Sequence, residues 1–472
     1  MRHSKKIIVS VLCILMLATV FGCAGNGAAE PSAPDATTNG DGTQEAPEPG
    51  EPRNVRFMYW GSPVERAAIE AAVAAFEEAH PDITVEALHV PGDDFYTKLQ
   101  AMIAGNEAPC ISYSGAWKLT LGEDGFIYEF NELQQMFPDI SLNMDGLVPY
   151  GEWKWAADKS AGPFQASVTP SLMYNVDIFE ELGIDLPPTT VDTAWTWDEF
   201  VDVAMQLTLD SSGRNAHDPD FDPGDISQFG IRMGLWWGPY MPFVLSNGGN
   251  YLSECGTEFG LNQPEATEAL QAIADLINVH RVHPTPAQAA GIPAPAAALQ
   301  SGRIAMQICG SWNHADLAES GMNWGVGVLP KFGDAYKTFF HGGSLIIYKN
   351  AQDLEAAVLL NNWITDPTRV LDLHQGLWIP QFTEWFIDPV LIDMWASEEL
   401  PGRPVGFQDA VMRSTFENAV LAPENGVRNF NEIDPLVSAA LDEVWAGTKT
   451  AQQAMDEVAP IIEHLIDGWN FY

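Results

Sequence analysis

Apolar and polar residues alternate with two different periods along residues 55–114. Between positions 69 and 76 the apolar residues recur at helical spacing. The preceding Ser62-Pro63-Val64-Glu65 is a capping box with proline at the first helical position, so we predict that a helix begins there. Alternation of strands and helices over short connections predicts a parallel sheet with right-handed crossovers. The strands are expected at 55–60, 83–88 and 108–114, and a second helix at 93–104.

A second α/β series follows Pro163. Thr196-Trp197-Asp198-Glu199 is another capping box and predicts a helix start. Ligands of open α/β sheets bind beyond the carboxyl ends of the strands, where Trp60 and residues 112–115 are expected to lie. The fold class is therefore α/β, with several helices completing the chain and no repeat of fixed period. Further strands are predicted at 171–174, 305–309, 324–329 and 345–348, and further helices at 176–182, 262–281 and 354–364.

The first 54 residues are predicted to precede the folded part. Residues 1–22 have a basic start and an apolar run too short for a comfortable membrane span, which is typical of an export signal. Val20-Phe21-Gly22-Cys23 resembles the bacterial lipobox, so Cys23 is expected to carry lipid; a plain signal peptide with a chance cysteine is the alternative. Residues 23–54 are predicted to be a disordered tether. The protein would be exported and anchored to the outer face of the cell membrane, extracellular or periplasmic.

Composition narrows the function classes. Acidic residues number 64 against 22 basic ones, a formal net charge of −42. Such a surface repels nucleic acid and anionic lipid. Cys110, Cys255 and Cys309 lack the spacing of zinc sites and redox dithiols, so we expect buried thiols with at most one disulfide among them. The 16 tryptophans are more informative, because several stand beside glycine or proline.

One of these tryptophans follows a predicted strand. In QICGSWNHAD, residues 307–316, an apolar approach ends in Cys309-Gly310-Ser311 and Trp312 comes next. A tryptophan needed only for packing would sit better inside the strand. At a strand end beside glycine, Trp312 can face a cleft with a flat apolar surface and an N–H donor on its edge.

Several segments, taken in order, resemble one known family. Their order and spacing are similar to those of the extracellular solute-binding proteins of bacterial ATP-driven importers, in the carbohydrate-binding group that includes maltose-binding protein. The resemblance covers nearly the whole mature chain and implies a two-lobed periplasmic-binding-protein-like fold of type II. Each lobe would be a sheet flanked by helices, with ligand trapped between closing lobes. The segments are FEEAHPDITVE, LMYNVDIFEELGID, TWDEFVDVAMQLT, GRIAMQICGSW, WGVGVLP, HGGSLIIYKN and EAAVLLNNWITD.

The resemblance also implies an organisation and partners. Residues 55–162 with 330–374 would form lobe 1, and residues 163–329 with 375–472 would form lobe 2. The protein would be a monomeric receptor that captures a sugar or short oligosaccharide and delivers it to the permease subunits of an ABC transporter. No catalytic residue and no cofactor are expected.

Ten residues are candidate ligand contacts. A pyranose has an apolar C–H face and a rim of hydroxyls, so it needs an aromatic platform and a few polar partners. The resemblance implies that Trp312 stacks on a sugar ring, while Glu65 is either a contact or only part of its helix cap. Of Trp236 and Trp237, one is expected to line the cleft and the other to pack. The remaining candidates are Trp60, Ser114, Tyr174, His341, Gly343 and Trp378.

Three other function classes are less well supported. A glycosidase needs two carboxylates across the scissile bond, but 64 acidic residues make such pairs uninformative. No G-x-S-x-G, H-E-x-x-H or P-loop motif occurs. A polyamine receptor would also combine aromatic boxes with carboxylates, and it is the main alternative to a sugar receptor. A purely structural surface lipoprotein would have no obvious use for a tryptophan-rich region between lobes.

No metal site is predicted. Asp218, Asp220 and Asp222 follow the 1, 3, 5 spacing of a calcium loop. Pro223 and Phe229, however, stand where such a loop needs glycine and glutamate, which favours a solvated acidic loop. The two histidines of segment 280–283 are expected to be solvated at a helix end.

Overall fold

The computed structural model describes residues 53–470 except 116, 143 and 166. The predicted signal peptide, Cys23 and nearly all of the predicted tether lie outside the described residues. Within the described range, no helix has both the length and the apolar character needed to cross a membrane.

The described chain forms both strands and helices. The strands are β1 Arg53–Tyr59, β2 Ile83–His89, β3 Ile111–Ser114, β4 Glu152–Ala156, β5 Lys159–Pro163, β6 Pro170–Asn175, β7 Leu209–Asp210, β8 Ile226–Met233, β9 Ile304–Gly310, β10 Trp324–Gly327, β11 Thr338–Phe340, β12 Ser344–Ile347 and β13 Ala419–Leu421. The helices are α1 Pro63–Ala79, α2 Gly92–Ala104, α3 Trp117–Glu123, α4 Phe130–Met136, α5 Val176–Leu182, α6 Trp197–Leu207, α7 Trp237–Ser246, α8 Pro264–Asn278, α9 Pro286–Ala289, α10 Pro295–Gln300, α11 His314–Ser320, α12 Leu354–Ile364, α13 Leu371–Gly376, α14 Glu384–Ile387, α15 Pro389–Ala396, α16 Ser414–Asn418, α17 Pro423–Gly426, α18 Phe430–Trp445 and α19 Ala451–Ile462.

The first sheet has the strand order β12-β3-β1-β2. β1 pairs in parallel with β2 and β3, and β12 runs antiparallel to β3. The predicted parallel sheet is therefore confirmed, with one antiparallel strand at its edge. Helix α1 begins as predicted, because Ser62 Oγ accepts a hydrogen bond from the Glu65 N–H at 3.3 Å and Pro63 occupies the first turn. A side-chain cap of this kind stabilises a helix by about 1 kcal/mol.

The second sheet has the order β10-β6-β9-β8-β7. β6 pairs antiparallel with β9 and β10, whereas β8 and β9 are parallel. Almost every residue of β9 is buried, as expected of a central strand covered on both faces. Because β9 ends at Gly310, the turn that follows carries Trp312 to the edge of this sheet.

Short crossing segments connect the two sheets. Val168 pairs with His341 and Phe164 pairs with Ser344, both antiparallel. The indole N–H of buried Trp153 donates to the Gly342 carbonyl at 2.7 Å and fixes one of these segments. The crossing segments therefore bring residues 164–168 and 341–344 together between the sheets.

Buried side chains cluster around each sheet, as two lobes require. The predicted lobe boundaries stay a prediction, and the packing favours small shifts in them. Leu377 and Trp378 pack with the core of the first sheet, although they lie in the segment predicted for lobe 2. Phe339 packs with the core of the second sheet, although it lies in the segment predicted for lobe 1.

Two local expectations were wrong. Cys255 is an exposed free thiol, not a buried one, and Cys110 and Cys309 are also free. His283 is buried, not solvated: its Nε2 lies 3.0 Å from the Met233 backbone nitrogen and its Nδ1 lies 2.7 Å from the Pro284 carbonyl oxygen. Burial lowers the pKa of His283 to about 4, because the segment after α8 folds back onto the second sheet.

Candidate functional site

A cavity of about 380 Å³ lies at the crossing segments, between the strand ends of the two sheets. This volume is within the range of small-molecule sites. A larger depression of about 690 Å³ lies on the outer surface around α6 and belongs to one lobe only. The cavity is lined by Trp60, Gly61, Ser62, Glu65, Gly92, Tyr113, Gln165, Val168, Trp312, His341, Gly342, Gly343 and Trp378.

Trp312 forms the second-lobe wall of the cavity and remains half-buried. Its ring folds back over Gly310, where an added Cβ would lie only 1.9 Å from a ring carbon. Glycine at this strand end is therefore required by the position of the ring. The ring of Trp236 lies 6.1 Å from that of Trp312, and the two line a narrow extension of the cavity.

Trp60 forms the opposite wall, at the carboxyl end of β1. Its ring contacts Phe95 edge-on at 4.7 Å and Tyr113 edge-on at 5.1 Å. These contacts restrict its rotation, so the ring is a preformed surface. Trp378 also lines the cavity but is 2 % exposed, and it packs with the first-lobe core.

Glu65 lies in the first turn of α1 and is 9 % exposed. A Cβ on Gly61 would lie 2.5 Å from the Glu65 carboxylate, so only glycine leaves room for this side chain. Burial raises the pKa of Glu65 to about 7; hydrogen bonding from the Trp378 side chain opposes the rise, and the charge of Asp316 adds to it. Glu65 is therefore more than a helix cap, because its carboxyl group faces the cavity.

The crossing segments supply further polar groups. His341 Nε2 lies 2.5 Å from a carboxylate oxygen of Glu424, which fixes the imidazole at the cavity wall. Gly343 lines the same wall with its backbone atoms. Gln165 is 6 % exposed, and its side-chain oxygen has no hydrogen-bond partner among the described residues. A buried amide in this condition is available to a ligand.

Three candidates lie outside the cavity: Tyr174 and Ser114, contrary to expectation, and Trp237, in agreement with the expectation that one tryptophan of its pair would pack. Tyr174 is buried in the second-lobe core, with its ring 5.3 Å from Phe179. Ser114 is fully buried, and its hydroxyl donates to the Gly115 carbonyl at 3.2 Å. Trp237 is the packing member of its pair and lies behind His341, 4.9 Å from the imidazole ring.

Sequence reasoning missed Tyr113 and Gln165 in the wall, and Asp316 close to it. Tyr113 neighbours Ser114 on β3. This strand has only four residues, so its sequence shows no alternation that would tell which of the two side chains faces the cavity. Asp316 stands in the first turn of α11, four residues after Trp312, and this spacing was the available signal. Gln165 follows a strand without any motif, so no signal identified it.

The acidic loop 218–222 uses its carboxylates locally. Asp218 accepts a hydrogen bond from the Asp220 N–H at 2.8 Å, and Asp222 accepts one from the Gly224 N–H at 2.9 Å. Across the part of the chain that the structure describes, no group of three or more His, Cys, Asp or Glu side chains is arranged to hold a metal ion.

The family follows from comparison with known proteins. The sequence profile of the bacterial extracellular solute-binding protein family matches residues 71–388, more than half of the chain. The chain belongs to this family. The family resemblance predicted from the segment order is thereby confirmed.

This solute-binding protein also has sequence relatives of known name. It is 26 % identical over 311 residues to the sn-glycerol-3-phosphate-binding periplasmic protein UgpB of Shigella dysenteriae serotype 1. The match covers 62 % of this chain and 64 % of that protein, so the chain spans just under two thirds of the relative's length.

Solved structures share the fold. The ABC substrate-binding protein Lmo0181 from Listeria monocytogenes, in complex with cycloalternan, superposes with a TM-score of 0.75 at 21 % identity, over 88 % of this chain and 99 % of that one. The maltose/maltodextrin-binding domain MalE from Bdellovibrio bacteriovorus, bound to maltotriose, gives 0.68 at 17 % identity, over 88 % and 99 %. The predicted two-lobed α/β fold of this solute-binding protein is confirmed.

Proposed function

We propose that this solute-binding protein is the lipid-anchored receptor of an ABC importer for a sugar or short oligosaccharide. It captures the ligand between two closing lobes, as a monomer, and presents it to the membrane permease. It performs no chemistry of its own. The anchor would be the lipid on Cys23, with residues 24–54 as the tether.

One observation carries the sugar assignment: aromatic faces and hydrogen-bonding groups meet in a single cavity. Trp60 from one lobe and Trp312 from the other provide apolar platforms for the C–H faces of a pyranose. Glu65, Gln165 and His341 lie in the same walls and can bond hydroxyls. The oligosaccharides named with Lmo0181 and the Bdellovibrio MalE support the same ligand class.

Closure of the lobes explains how such a site would gain affinity. Exclusion of water strengthens hydrogen bonds to hydroxyls, because the local dielectric falls. The crossing segments near residues 164–168 and 341–344 are candidate hinges, since their pairing joins the two sheets beside the cavity; Ser167 also pairs with Ile379 there. Ligand shifts the lobes only if the closed state binds it better than the open state does.

A specific observation favours one alternative ligand, a polyamine. The carboxyl groups of Glu65 and Asp316 are close enough to influence each other, and Glu65 shares the cavity with three tryptophan rings. An ammonium group would be attracted to both features. The distribution of polar groups nevertheless favours a sugar, because they lie around the aromatic walls, where they can meet the hydroxyls of a stacked ring.

Isothermal titration calorimetry of the purified protein tests the proposal. The panel would contain glucose, maltose, maltotriose and cycloalternan, with spermidine and calcium as non-sugar probes. We expect saturable heat with one glycan class and none with the other probes. Binding of spermidine alone would replace the sugar assignment with the polyamine one.

The anchor needs a separate measurement. Cys23→Ser should move the protein from the membrane fraction to the soluble fraction, because the lipidated thiol is lost. A variant that stays with the membrane would contradict lipid anchoring without affecting the sugar assignment.

A further inference from the structure

The charges at the cavity are of one sign. Among the described side chains that line it, none belongs to Lys or Arg. Glu65 lines it, Asp316 acts on Glu65 from the second lobe, and His341 is paired with Glu424. Phosphate recognition in proteins relies on Arg or Lys or on free backbone N–H groups. The cavity therefore lacks the cations that a phosphorylated ligand needs.

Two helix N-termini line the cavity, that of α1 through Gly61 and Ser62 and that of α2 through Gly92. Helix N-termini attract anions through their unpaired N–H groups and the helix dipole. Here Pro63 has no N–H, and the Glu65 N–H is bonded to Ser62 Oγ. The Glu65 carboxylate itself lies against Gly61. At the α1 terminus, the protein's own anion therefore occupies the place that a phosphate would take.

Gln165 gives an independent sign that a ligand is bound beside these carboxylates. It is nine-tenths buried in the same cavity, and its side-chain oxygen lacks a partner among the described residues. An unpaired acceptor suits a hydroxyl or ammonium donor on the ligand and not a phosphate oxygen.

We infer that this receptor binds a sugar that carries no negative charge and rejects phosphorylated sugars and glycerol phosphates, with Glu65 as the side chain that sets this choice. The inference rests on the proposed sugar-binding function and narrows its substrate class. It separates this chain from its 26 % identical relative, whose name specifies sn-glycerol 3-phosphate.

Competition calorimetry at pH 8 tests the inference on the full-length protein, because Glu65 and a phosphate monoester are both ionised there. The neutral sugar that binds best is loaded first, and sn-glycerol 3-phosphate or glucose 6-phosphate is added at constant ionic strength. We expect both phosphates to bind at least about 100-fold more weakly than the neutral sugar, since like charges oppose each other across the site. Displacement within tenfold of the neutral sugar would overturn the inference and leave sugar binding standing.

Two variants assign the effect to one side chain. Glu65→Gln keeps the size of the side chain and one acceptor oxygen but removes the charge. It should narrow the difference in affinity between the neutral sugar and the phosphate at least about tenfold. Glu78→Gln removes the same charge from an exposed position on α1 and should leave the affinity difference between neutral sugar and phosphate unchanged. If the affinity difference stays the same in Glu65→Gln, Glu65 is not the side chain that excludes phosphorylated ligands. If no neutral sugar binds the wild-type protein, the proposed function itself fails, and the inference fails with it.

Discussion

Trp378 lies between two buried charged side chains that have opposite surroundings. On one side, Glu65 faces the cavity, and hydrogen bonding from the Trp378 side chain partly offsets its burial. On the other side, Arg403 is fully buried and donates to the Trp378, Trp395 and Gly402 carbonyls at 2.9, 3.0 and 3.1 Å. The same tryptophan is thus held by a cation at its backbone and by a carboxyl group at its ring.

The difference between these side chains separates a structural charge from one that is available to a ligand. Arg403 uses its guanidinium on backbone carbonyls and also lies 4.4 Å from the Phe407 ring centroid. A carboxylate can accept about four hydrogen bonds, and at Glu65 hydrogen bonding from the Trp378 and Tyr113 side chains and the Ser62 backbone accounts for at most three of them. A charged group beside a cavity that can still accept or donate hydrogen bonds is available to a ligand. A group whose hydrogen bonds are all made within the protein stabilises the fold.

Removing the structural charge should have the largest effect. Arg403→Met leaves several buried carbonyls without their donor, so the free energy of unfolding should fall by about 3–5 kcal/mol. Chemical denaturation at pH 7 measures this loss. As a control, Arg369→Met removes a half-exposed arginine that stacks on Trp363 at 4.7 Å, and it should cost no more than about 1 kcal/mol. Equal losses in both variants would contradict the special status of Arg403.

Removing the charge at the cavity should instead increase the free energy of unfolding at alkaline pH. Burial raises the pKa of Glu65 from 4.5 to about 7. The folded protein therefore favours the protonated acid, and its stabilisation is complete below pH 4.5 and lost as the pH rises through 7. Glu65→Gln never ionises, so at pH 8 it should be more stable than wild type by up to about 3 kcal/mol, and the difference should vanish near pH 4.5.

Thermal or urea unfolding at pH 4.5 and pH 8 measures this difference. Glu78→Gln is the matched control, because it loses the same charge from an exposed site on the same helix. Its stability relative to wild type should be similar at the two pH values. A Glu65→Gln variant that is less stable than wild type at pH 8 would indicate that the carboxylate is a structural group like Arg403.

The aromatic wall offers a test in which affinity changes and the fold does not. Trp312→Ala should weaken sugar binding by about 1–3 kcal/mol, because a stacked and partly buried ring is lost. Calorimetry gives the affinity, and circular dichroism checks the fold. Trp363→Ala is the control, since Trp363 is half-buried in the first lobe, 5.7 Å from Phe76 and outside the cavity. Unchanged affinity in a folded Trp312→Ala variant would remove this residue from the site.

Much of this arrangement could be predicted from periodic patterns. The capping boxes located the starts of α1 and α6, and the apolar period over residues 354–364 matches α12 at both ends. Trp312 could be placed at a strand end, because glycine and a break in the apolar run mark such ends. These features are local, so a single stretch of sequence carries them.

The rest of the site depends on contacts between distant segments. Gln165 and His341 meet because the crossing segments bring them together, and all of Arg403's carbonyl partners except Gly402 lie 8 to 29 residues away. No local period encodes these contacts. Tyr174 illustrates the opposite error: the family resemblance suggested a contact, but the pleat of β6 directs this ring into the second-lobe core.

Substitution of Tyr174 should therefore have the smallest effect on stability and on sugar affinity. It tests whether this side chain belongs to the second-lobe core or to the cavity wall. Burial alone raises the pKa of Tyr174 to about 12, with no charged neighbour contributing. Tyr174→Phe keeps the ring against Phe179, so the free energy of unfolding should change by less than about 1 kcal/mol. Sugar affinity, measured by calorimetry beside Trp312→Ala, should stay within twofold of wild type because the ring lies outside the cavity. A tenfold loss of affinity would instead show that the hydroxyl reaches the ligand in the closed state, and the wall would then extend into β6.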